Sequence, residues 1–299
     1  MPDPRPDPPD LRQILAAVGV ERFFADYWQR RTLTLALDAG DFAHIVDEIG
    51  PLDIARFAGL AREGAQAWVA NDYITHSVIP VDGPNAEKLF GIGATLYFIN
   101  VPIERLTHSL ADFLGAPRQK VIASLFLTPA TGGASPHFDK NENFTIQLTG
   151  AKRWIVGESP TVASPPDGTM LGQTVPPSLK NLLGEAIEQP NLTVDMRPGT
   201  LLYVPRGTVH RTEAGEVSWS LNLSYSPSMW LDLVRIGLQR RLAASARWRG
   251  TVTGVGETCD PAAREANRLA ELIAELREIL ADPDELDRLC RAFLEYPDG

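Results

Sequence analysis

A histidine and an aspartate two positions apart are the residues whose type and spacing best predict chemistry. The stretch "GGASPHFDKNENFTIQLTGAKRW", residues 132–154, places His137 two residues before Asp139, between a glycine-containing turn and a run of alternating residues. Because alternate side chains of a strand point to the same face, we expect both groups at the start of a strand to face the same way. A second histidine, His210, follows a Pro- and Gly-containing turn in "MRPGTLLYVPRGTVHRT".

Two neutral imidazoles and one carboxylate on one side of a sheet match the facial triad that holds Fe(II). That triad leaves coordination positions open for O2 and a bidentate co-substrate. Cys259 and Cys290 form no CxxC pair, so neither a thiolate site nor a disulfide framework is predicted. An HxD pair alone also fits an ordinary surface ion pair. The glycine turn, the period-two pattern and the second histidine together favour a metal site.

The composition indicates a soluble protein with a full core. The chain has 299 residues, of which 44% are hydrophobic, and its formal net charge is -10. This acidic balance, with no Lys/Arg-rich run, argues against a nucleic-acid partner. No apolar run is long enough to predict a membrane span. We expect the Pro- and Asp-rich residues 1–12 to be a disordered tail rather than a signal peptide, and the protein to be cytoplasmic.

The elements that position the candidate ligands follow from the spacing of apolar residues. Residues 11–60 are predicted to be helical, with Asp41 as a cap, and residues 66–100 to form short strands separated by the turns "VDGPN" and "GIG". "IERLTHSLADFLGAP" predicts a helix that ends at Gly115 and Pro117.

A β-rich block from residue 120 to about 226 carries the candidate ligands. Short strands joined by turns, without βαβ alternation, predict an antiparallel jelly-roll. The fold class is therefore mainly β with flanking helices: a double-stranded β-helix, cupin-like core over residues 13–227, and a C-terminal helical module over residues 228–299. The amphipathic helices of that module predict a homodimer, although the pattern would equally fit packing on the barrel of the same chain.

The stretch "HFDKNENFTIQLTGAKRW" resembles the metal-binding strand of the JmjC, or cupin-like, branch of the Fe(II)/2-oxoglutarate oxygenases. It is most similar to the bacterial ribosomal-protein hydroxylases and to the asparaginyl hydroxylase that acts on hypoxia-inducible factor. "FFADYWQRRTLTL", "LYFINV", "PGTLLYVPRGTVH" and "SLNLSY" fit the same family in the same order, so the resemblance covers roughly residues 20–226. It extends to the helical tail, which is similar to a dimerisation segment of the ribosomal group.

The resemblance implies a set of site residues. His137, Asp139 and His210 would bind the metal, and Lys152 would bind the distal C5 carboxylate of 2-oxoglutarate. Asn143 and Asn222 match or lie near positions that touch the co-substrate, and both would equally fit ordinary polar strand residues. Lys152 also fits a solvated edge lysine, since Arg153 beside it is equally basic.

One position departs from the asparaginyl hydroxylase, which has a threonine three residues before the first ligand. Ala134 stands there in this chain. Ser135, Thr128 or Thr131 would supply the missing hydroxyl.

Several other residues fit structural roles. His44, His76 and His108 lie in helix or strand patterns. Trp154, Trp219 and Tyr203 are expected to fill the core rather than line the site.

The resemblance implies an enzyme that couples O2 and 2-oxoglutarate decarboxylation to hydroxylation of an amino-acid side chain, in a protein or peptide. Three alternatives stay open: a free amino acid or natural-product intermediate as substrate, removal of N-methyl groups, and a cupin that binds metal without catalysis.

Overall fold

The computed structural model describes residues 11–15, 18–72, 75–183, 190–251 and 261–295. Cys259 and most of the predicted tail over residues 1–12 lie outside the described residues. The contacts divide the chain into two compact units, one that ends at Pro227 and one that begins at Ser228.

The N-terminal part of the first unit is mainly helical but contains an additional strand. Strand β1 (Leu33–Ala36) interrupts the region of residues 11–60 that is predicted to be helical. Its leucines alternate with threonine, and it pairs antiparallel with residues 200–203, so pairing with a distant strand decides its structure. The helical elements here are α1 (Leu11–Ile14), α2 (Val20–Arg22), a π-helical turn (Phe23–Tyr27), α3 (Ala39–Ile49) and α4 (Ile54–Leu60). Asp38, rather than the predicted Asp41, caps α3: its carboxylate accepts a hydrogen bond from the Asp41 amide at 2.8 Å.

The next segment contains the predicted short strands and one helix in place of a predicted turn. The strands are β2 (Ala65–Ala70), β3 (His76–Val81) and β4 (Thr95–Val101). "VDGPN" begins helix α5 (Gly83–Gly91), because Asp82 accepts a hydrogen bond from the Asn85 amide at 3.0 Å and a proline occupies the first turn. Helix α6 (Glu104–Leu114) ends, as predicted, at Gly115, whose φ is 64°.

Two antiparallel sheets form the centre of the first unit. Their remaining strands are β5 (Val121–Thr128), β6 (Gly133–Phe138), β7 (Glu142–Thr149), β8 (Lys152–Val156), β9 (Thr169–Met170), β10 (Leu192–Met196), β11 (Thr200–Val204), β12 (His210–Ala214) and β13 (Ser218–Tyr225), with short 3-10 turns at Arg118–Lys120 and Pro177–Leu179. One sheet has eight strands in the order β1-β11-β7-β13-β5-β4-β2-β3, and the other has five in the order β10-β8-β12-β6-β9. These sheets and the flanking helices confirm the predicted jelly-roll, cupin-like core.

The central strands of the larger sheet are buried on both faces. One face of β7 and β13 carries apolar residues that join the main hydrophobic core, which also includes residues of α3, α4 and α6. The other face carries a buried polar row: Asn143, Thr145, Gln147, Ser218, Ser220, Asn222 and Ser224. Since buried polar groups are costly unless they have hydrogen-bond partners, such a row indicates a polar site between the sheets.

The second unit consists of helices α7 (Trp230–Ala243), α8 (Pro261–Ala281) and α9 (Pro283–Glu295). An ion pair between Arg241 and Glu285, at 2.7 Å, ties α7 to α9. The start of α7 leaves large apolar side chains exposed, and Trp230 is 84% exposed. Within the part of the chain that the structure describes, no helix combines the length and apolar character that a membrane crossing needs.

Candidate active site

His137 and His210 lie opposite each other on neighbouring strands of the smaller sheet. They are register partners between β6 and β12, and their ring centroids are 4.1 Å apart. Asp139 follows the end of β6, and one ligand atom from each of the three residues lies within 4.8 Å of the others. The structure therefore brings the predicted triad together.

The local setting of the triad differs from the predicted single strand. His137 lies near the end of β6 rather than at the start of a strand, and Asp139 lies outside it. The residues that follow do not continue the same strand, because β7 belongs to the other sheet. The two groups converge because the chain turns from one sheet to the other immediately after the histidine.

Backbone carbonyls fix the orientation of both imidazoles. His137 Nδ1 lies 2.7 Å from the backbone carbonyl oxygen of Ser135, and His210 Nδ1 lies 3.0 Å from the backbone carbonyl oxygen of Thr208. A carbonyl can only accept, so each Nδ1 carries a proton and Nε2 is the atom that each ring can offer to a metal. Burial, and then the nearby His137, lowers the pKa of His210 to about 4, so this ring is neutral at pH 7. Neutral rings with a free Nε2 are what a divalent metal requires.

The carboxylate of Asp139 is held by an amide network that extends into the larger sheet. Asn143 donates to Asp139 Oδ2 at 2.7 Å, and Asn143 Oδ1 accepts from Asn222 at 3.1 Å and from Ser224 at 2.9 Å. Asn222 in turn accepts from the Thr145 hydroxyl at 3.1 Å. Both predicted asparagines thus line the same pocket as the triad.

Lys152 lies at the buried end of that pocket. Lys152 is only 4% exposed, and its Nζ donates to the Ser220 hydroxyl at 3.2 Å. Within the described residues, no carboxylate lies within ion-pair distance of this amine, and burial lowers its pKa to about 7. The neighbouring Arg153 points outward, where it pairs with Asp195 at 2.8 Å. The structure therefore places inside the pocket an amine that has no charged partner in the part of the chain that it describes.

The strand that carries Lys152 lies beside the strand of the second histidine. β8 pairs with β10 and with β12, the strand of His210, and not with β6. The lysine reaches the pocket because its strand neighbours the second histidine.

Of the three hydroxyls expected to compensate for Ala134, one remains available in the pocket. Thr128 lines it, and its hydroxyl is buried with no hydrogen-bond partner among the described residues. The Ser135 hydroxyl is engaged with His76 Nδ1 at 2.7 Å, and Thr131 lines a different, more open cleft.

Aromatic side chains surround the two histidines. Trp154 stacks on His210 with centroids 5.2 Å apart, and Trp68 approaches His137 edge-on at 5.3 Å. Trp154 therefore lines the pocket, whereas Trp219 and Tyr203 belong to the core, as expected.

The pocket wall also contains residues that the sequence does not single out: Trp68, Tyr97, Phe126, Thr145, Thr212 and Ser224. The alternation of polar and apolar residues in two fully buried strands was the available signal for Thr145 and Ser224. Trp68 and Tyr97 come from early strands whose neighbours in the sheet are not evident from local sequence.

Comparison with known proteins finds one domain family and several relatives. The family described as the JmjC domain matches residues 98–233. An uncharacterized protein of Bacillus subtilis, YxbC, is 29% identical over 258 residues, which cover 80% of this chain and 77% of that protein. The bifunctional lysine-specific demethylase and histidyl-hydroxylase NO66 of Drosophila yakuba is 38% identical over 231 residues, 72% of this chain and 32% of that protein. The chain thus spans about a third of the length of this relative.

A solved structure resembles the chain in fold. The ribosomal oxygenase YcfD of Escherichia coli, in complex with cobalt and 2-oxoglutarate, matches with a TM-score of 0.54 at 21% identity. The match covers 89% of this chain and 68% of YcfD. At this level of identity the likeness establishes the shared architecture of sheets and helices.

Proposed function

Because the chain belongs to the JmjC-domain family of cupin-like Fe(II)/2-oxoglutarate oxygenases, we propose that it hydroxylates an amino-acid side chain in a protein or peptide. A single observation carries this proposal. His137 and His210, each able to offer Nε2, converge with Asp139 in the same pocket as a buried amine that has no charged partner among the described residues. A cupin that only bound metal would have no need to keep an unpaired amine inside its barrel.

The donor set fits Fe(II). His137 and His210 each offer Nε2, and Asp139 offers a carboxylate oxygen. Three ligands on one side leave the remaining positions of the ion open. With iron bound, O2 would be the oxidant: one oxygen atom would enter succinate as 2-oxoglutarate is decarboxylated, and the other would be inserted into a substrate C–H bond.

The buried residues of the pocket fit a dicarboxylate. We assign Lys152 and Thr128 to its distal carboxylate, because the amine has no charged partner and the Thr128 hydroxyl is buried without a hydrogen-bond partner among the described residues. Asn143 and Asn222 hold Asp139 in place and border the co-substrate. Trp68, Trp154 and Phe126 exclude water around these groups.

The names of the relatives support a macromolecular substrate. NO66 is a histidyl-hydroxylase and lysine-specific demethylase, and YcfD is a ribosomal oxygenase. We infer hydroxylation of a protein side chain as the main reaction, in the cytoplasm. N-methyl removal, which NO66 carries in its name, is the second candidate because it uses the same iron chemistry.

The second unit supports a homodimer. Trp230, Leu231 and Val234 lie on adjacent turns of α7 and are 84%, 60% and 52% exposed. A contiguous exposed apolar surface of this kind marks an association site, and a second copy of the chain is the proposed partner.

Anaerobic addition of Fe(II) and 2-oxoglutarate tests the metal assignment. We expect a visible charge-transfer band that His137→Ala abolishes and His108→Ala, a matched change outside the pocket, retains. Admission of O2 should then give succinate. A protein that shows neither band nor succinate would be a non-catalytic cupin.

The substrate is tested in a deletion strain. Mass spectrometry of its proteins and metabolites should reveal a residue that lacks one oxygen atom present in the parent strain. A methyl group retained only in the deletion strain would identify a demethylase. A difference confined to free metabolites would refute the protein substrate.

A further inference from the structure

A buried charged cluster lies beside the candidate active site and takes no part in the chemistry proposed above. Glu142, the first residue of β7, has no exposed surface; its Oε2 accepts from the Tyr203 hydroxyl at 2.7 Å, and its Oε1 lies 3.5 Å from Arg206 Nε. Burial raises the pKa of Glu142, and the contacts with Tyr203 and Arg206 oppose that rise.

The N-terminal segment closes this cluster from one side. The backbone amide of Gln29 donates to the Tyr203 hydroxyl at 2.9 Å. Trp28 stacks on the Tyr203 ring, with centroids 6.0 Å apart and planes 13° from parallel. The carboxylate is therefore enclosed by aromatic rings and backbone rather than by water.

Buried ion pairs are seldom an efficient source of stability. Replacement of such a pair by apolar residues is often neutral or stabilising, whereas loss of one partner leaves an uncompensated buried charge. The Glu142–Arg206 pair therefore calls for a role other than stability, and the segment that carries Arg206 suggests one.

Arg206 lies in the turn over residues 205–209, which joins β11 to β12. This turn contacts two candidate metal ligands. The Gly207 backbone amide donates to the backbone carbonyl of Asp139 at 2.8 Å, and the backbone carbonyl of Thr208 accepts from His210 Nδ1 at 3.0 Å. A shift of the turn would move both contacts together.

The turn is held on its outer side as well. The Gly207 oxygen accepts from the amides of Thr161 and Val162, and Arg206 Nη2 donates to the Ser164 hydroxyl at 2.8 Å. Gly207 has a φ of 80°, and a Cβ at this position would lie 1.9 Å from the Val162 oxygen. The loop around residue 162 thus fixes one side of the turn, and Glu142 fixes the other.

We propose that the Glu142–Arg206 pair is a positioning device that ties the turn over residues 205–209 to β7 and so holds Asp139 and His210 in ligand geometry. Glu142 follows Asp139 by three positions in the sequence, so the pair joins the two chain segments that carry these ligands. This inference rests on the proposed function, since it assigns the pair to the metal site.

Cobalt binding by the full chain tests the proposal without turnover. Arg206→Met, Glu142→Gln and the double variant are compared with the wild-type protein by thermal melting, by Co(II) affinity from chelator competition, and by the Co(II) absorption spectrum. Arg153→Met is the matched control, because it removes an outward-facing guanidinium from the smaller sheet.

Each single variant should lower the melting temperature and weaken Co(II) binding by about tenfold or more, as expected when a residue that orients metal ligands is lost. The double variant is decisive. Its stability should recover because no buried charge is left alone, while Co(II) affinity stays about tenfold or more below wild type and the spectrum remains altered. Arg153→Met should match the wild-type protein in both affinity and spectrum.

Wild-type Co(II) affinity and spectrum in the double variant would overturn the inference and leave the pair a purely structural feature. Unaltered affinity in both single variants would overturn it as well. Failure of the proposed function has a different signature: the His137→Ala variant would then bind Co(II) as tightly as the wild-type protein does.

Discussion

Raising the pH from about 7 to about 9 should weaken 2-oxoglutarate binding by about fiftyfold through Lys152 alone. Burial lowers the pKa of this amine to about 7 in the ligand-free protein, and only the ammonium form attracts a carboxylate. Above that pKa the charged fraction falls tenfold with each pH unit, so the apparent Kd should rise by the same factor. Below it, the Kd should be nearly constant.

The same titration affects the stability of the ligand-free protein with a defined sign. The pKa of Lys152 is about 7 in the folded state against 10.5 for an ordinary exposed lysine, so the unfolded chain binds more protons between these two values. The free energy of unfolding should therefore increase as the pH rises through this window. The difference corresponds to an upper bound of about 5 kcal/mol at neutral pH.

Calorimetry under nitrogen measures this coupling. The protein is saturated with Co(II), and the Kd of 2-oxoglutarate is determined from about pH 6 to about pH 9, a range over which His210 is already neutral. 2-Oxobutyrate, which keeps the chelating group but lacks the distal carboxylate, is the matched control ligand and should show no such slope. Lys152→Met should bind 2-oxoglutarate about a hundredfold more weakly than wild type at neutral pH while melting at a higher temperature in the absence of ligand. An equal pH slope for the two ligands, or a Kd for 2-oxoglutarate that does not change with pH, would refute the assigned role of Lys152.

Three further outcomes are expected. Thr128→Val should weaken 2-oxoglutarate binding about fivefold with little change in the melting temperature of the ligand-free protein, since its hydroxyl has no partner there; equal Kd values would exclude that hydroxyl as a ligand. Gly207→Ala should destabilise the protein by about 3 kcal/mol or more in chemical denaturation, because the added methyl would overlap the Val162 oxygen in a backbone conformation that favours glycine. A denaturation midpoint equal to that of the wild-type protein would show that the loop around residue 162 moves aside at little cost. Trp230→Glu should convert the proposed dimer to a monomer in sedimentation analysis while leaving the Co(II) spectrum unchanged, and a wild-type protein that sediments as a monomer would refute the dimer.

The sequence predicts the jelly-roll and the convergence of the triad because both depend on local patterns. Alternating residues and turns identify the strands, and His137, Asp139 and His210 each lie beside a recognisable strand or turn. Which strands pair with each other is harder to predict from the sequence. "HFDKNENFTIQL" reads as a single strand, yet the chain crosses between sheets after His137, and that crossing is what brings the aspartate towards the ion.

The parts of the site that come from distant segments were not predictable. Trp68 and Tyr97 enter the pocket because β4 pairs with β5, and β2 with β4, in the larger sheet, an arrangement decided by packing over the whole core. The burial of Lys152 likewise depends on the pairing of β8 with β12, whereas its own sequence, beside an arginine, equally fits an exposed edge. β1 was missed for the same reason, since its leucines suit either a helix or a strand until β11 is in place.

The cross-strand partnership of His137 with His210 has a consequence for how the protein matures. A slip of one residue between β6 and β12 would turn one imidazole to the opposite face of the sheet, and a slip of two would set Ser135 or Asp139, in place of His137, opposite His210. Only the native register places both histidines opposite each other, so a bound metal ion would stabilise this pairing over the misaligned ones.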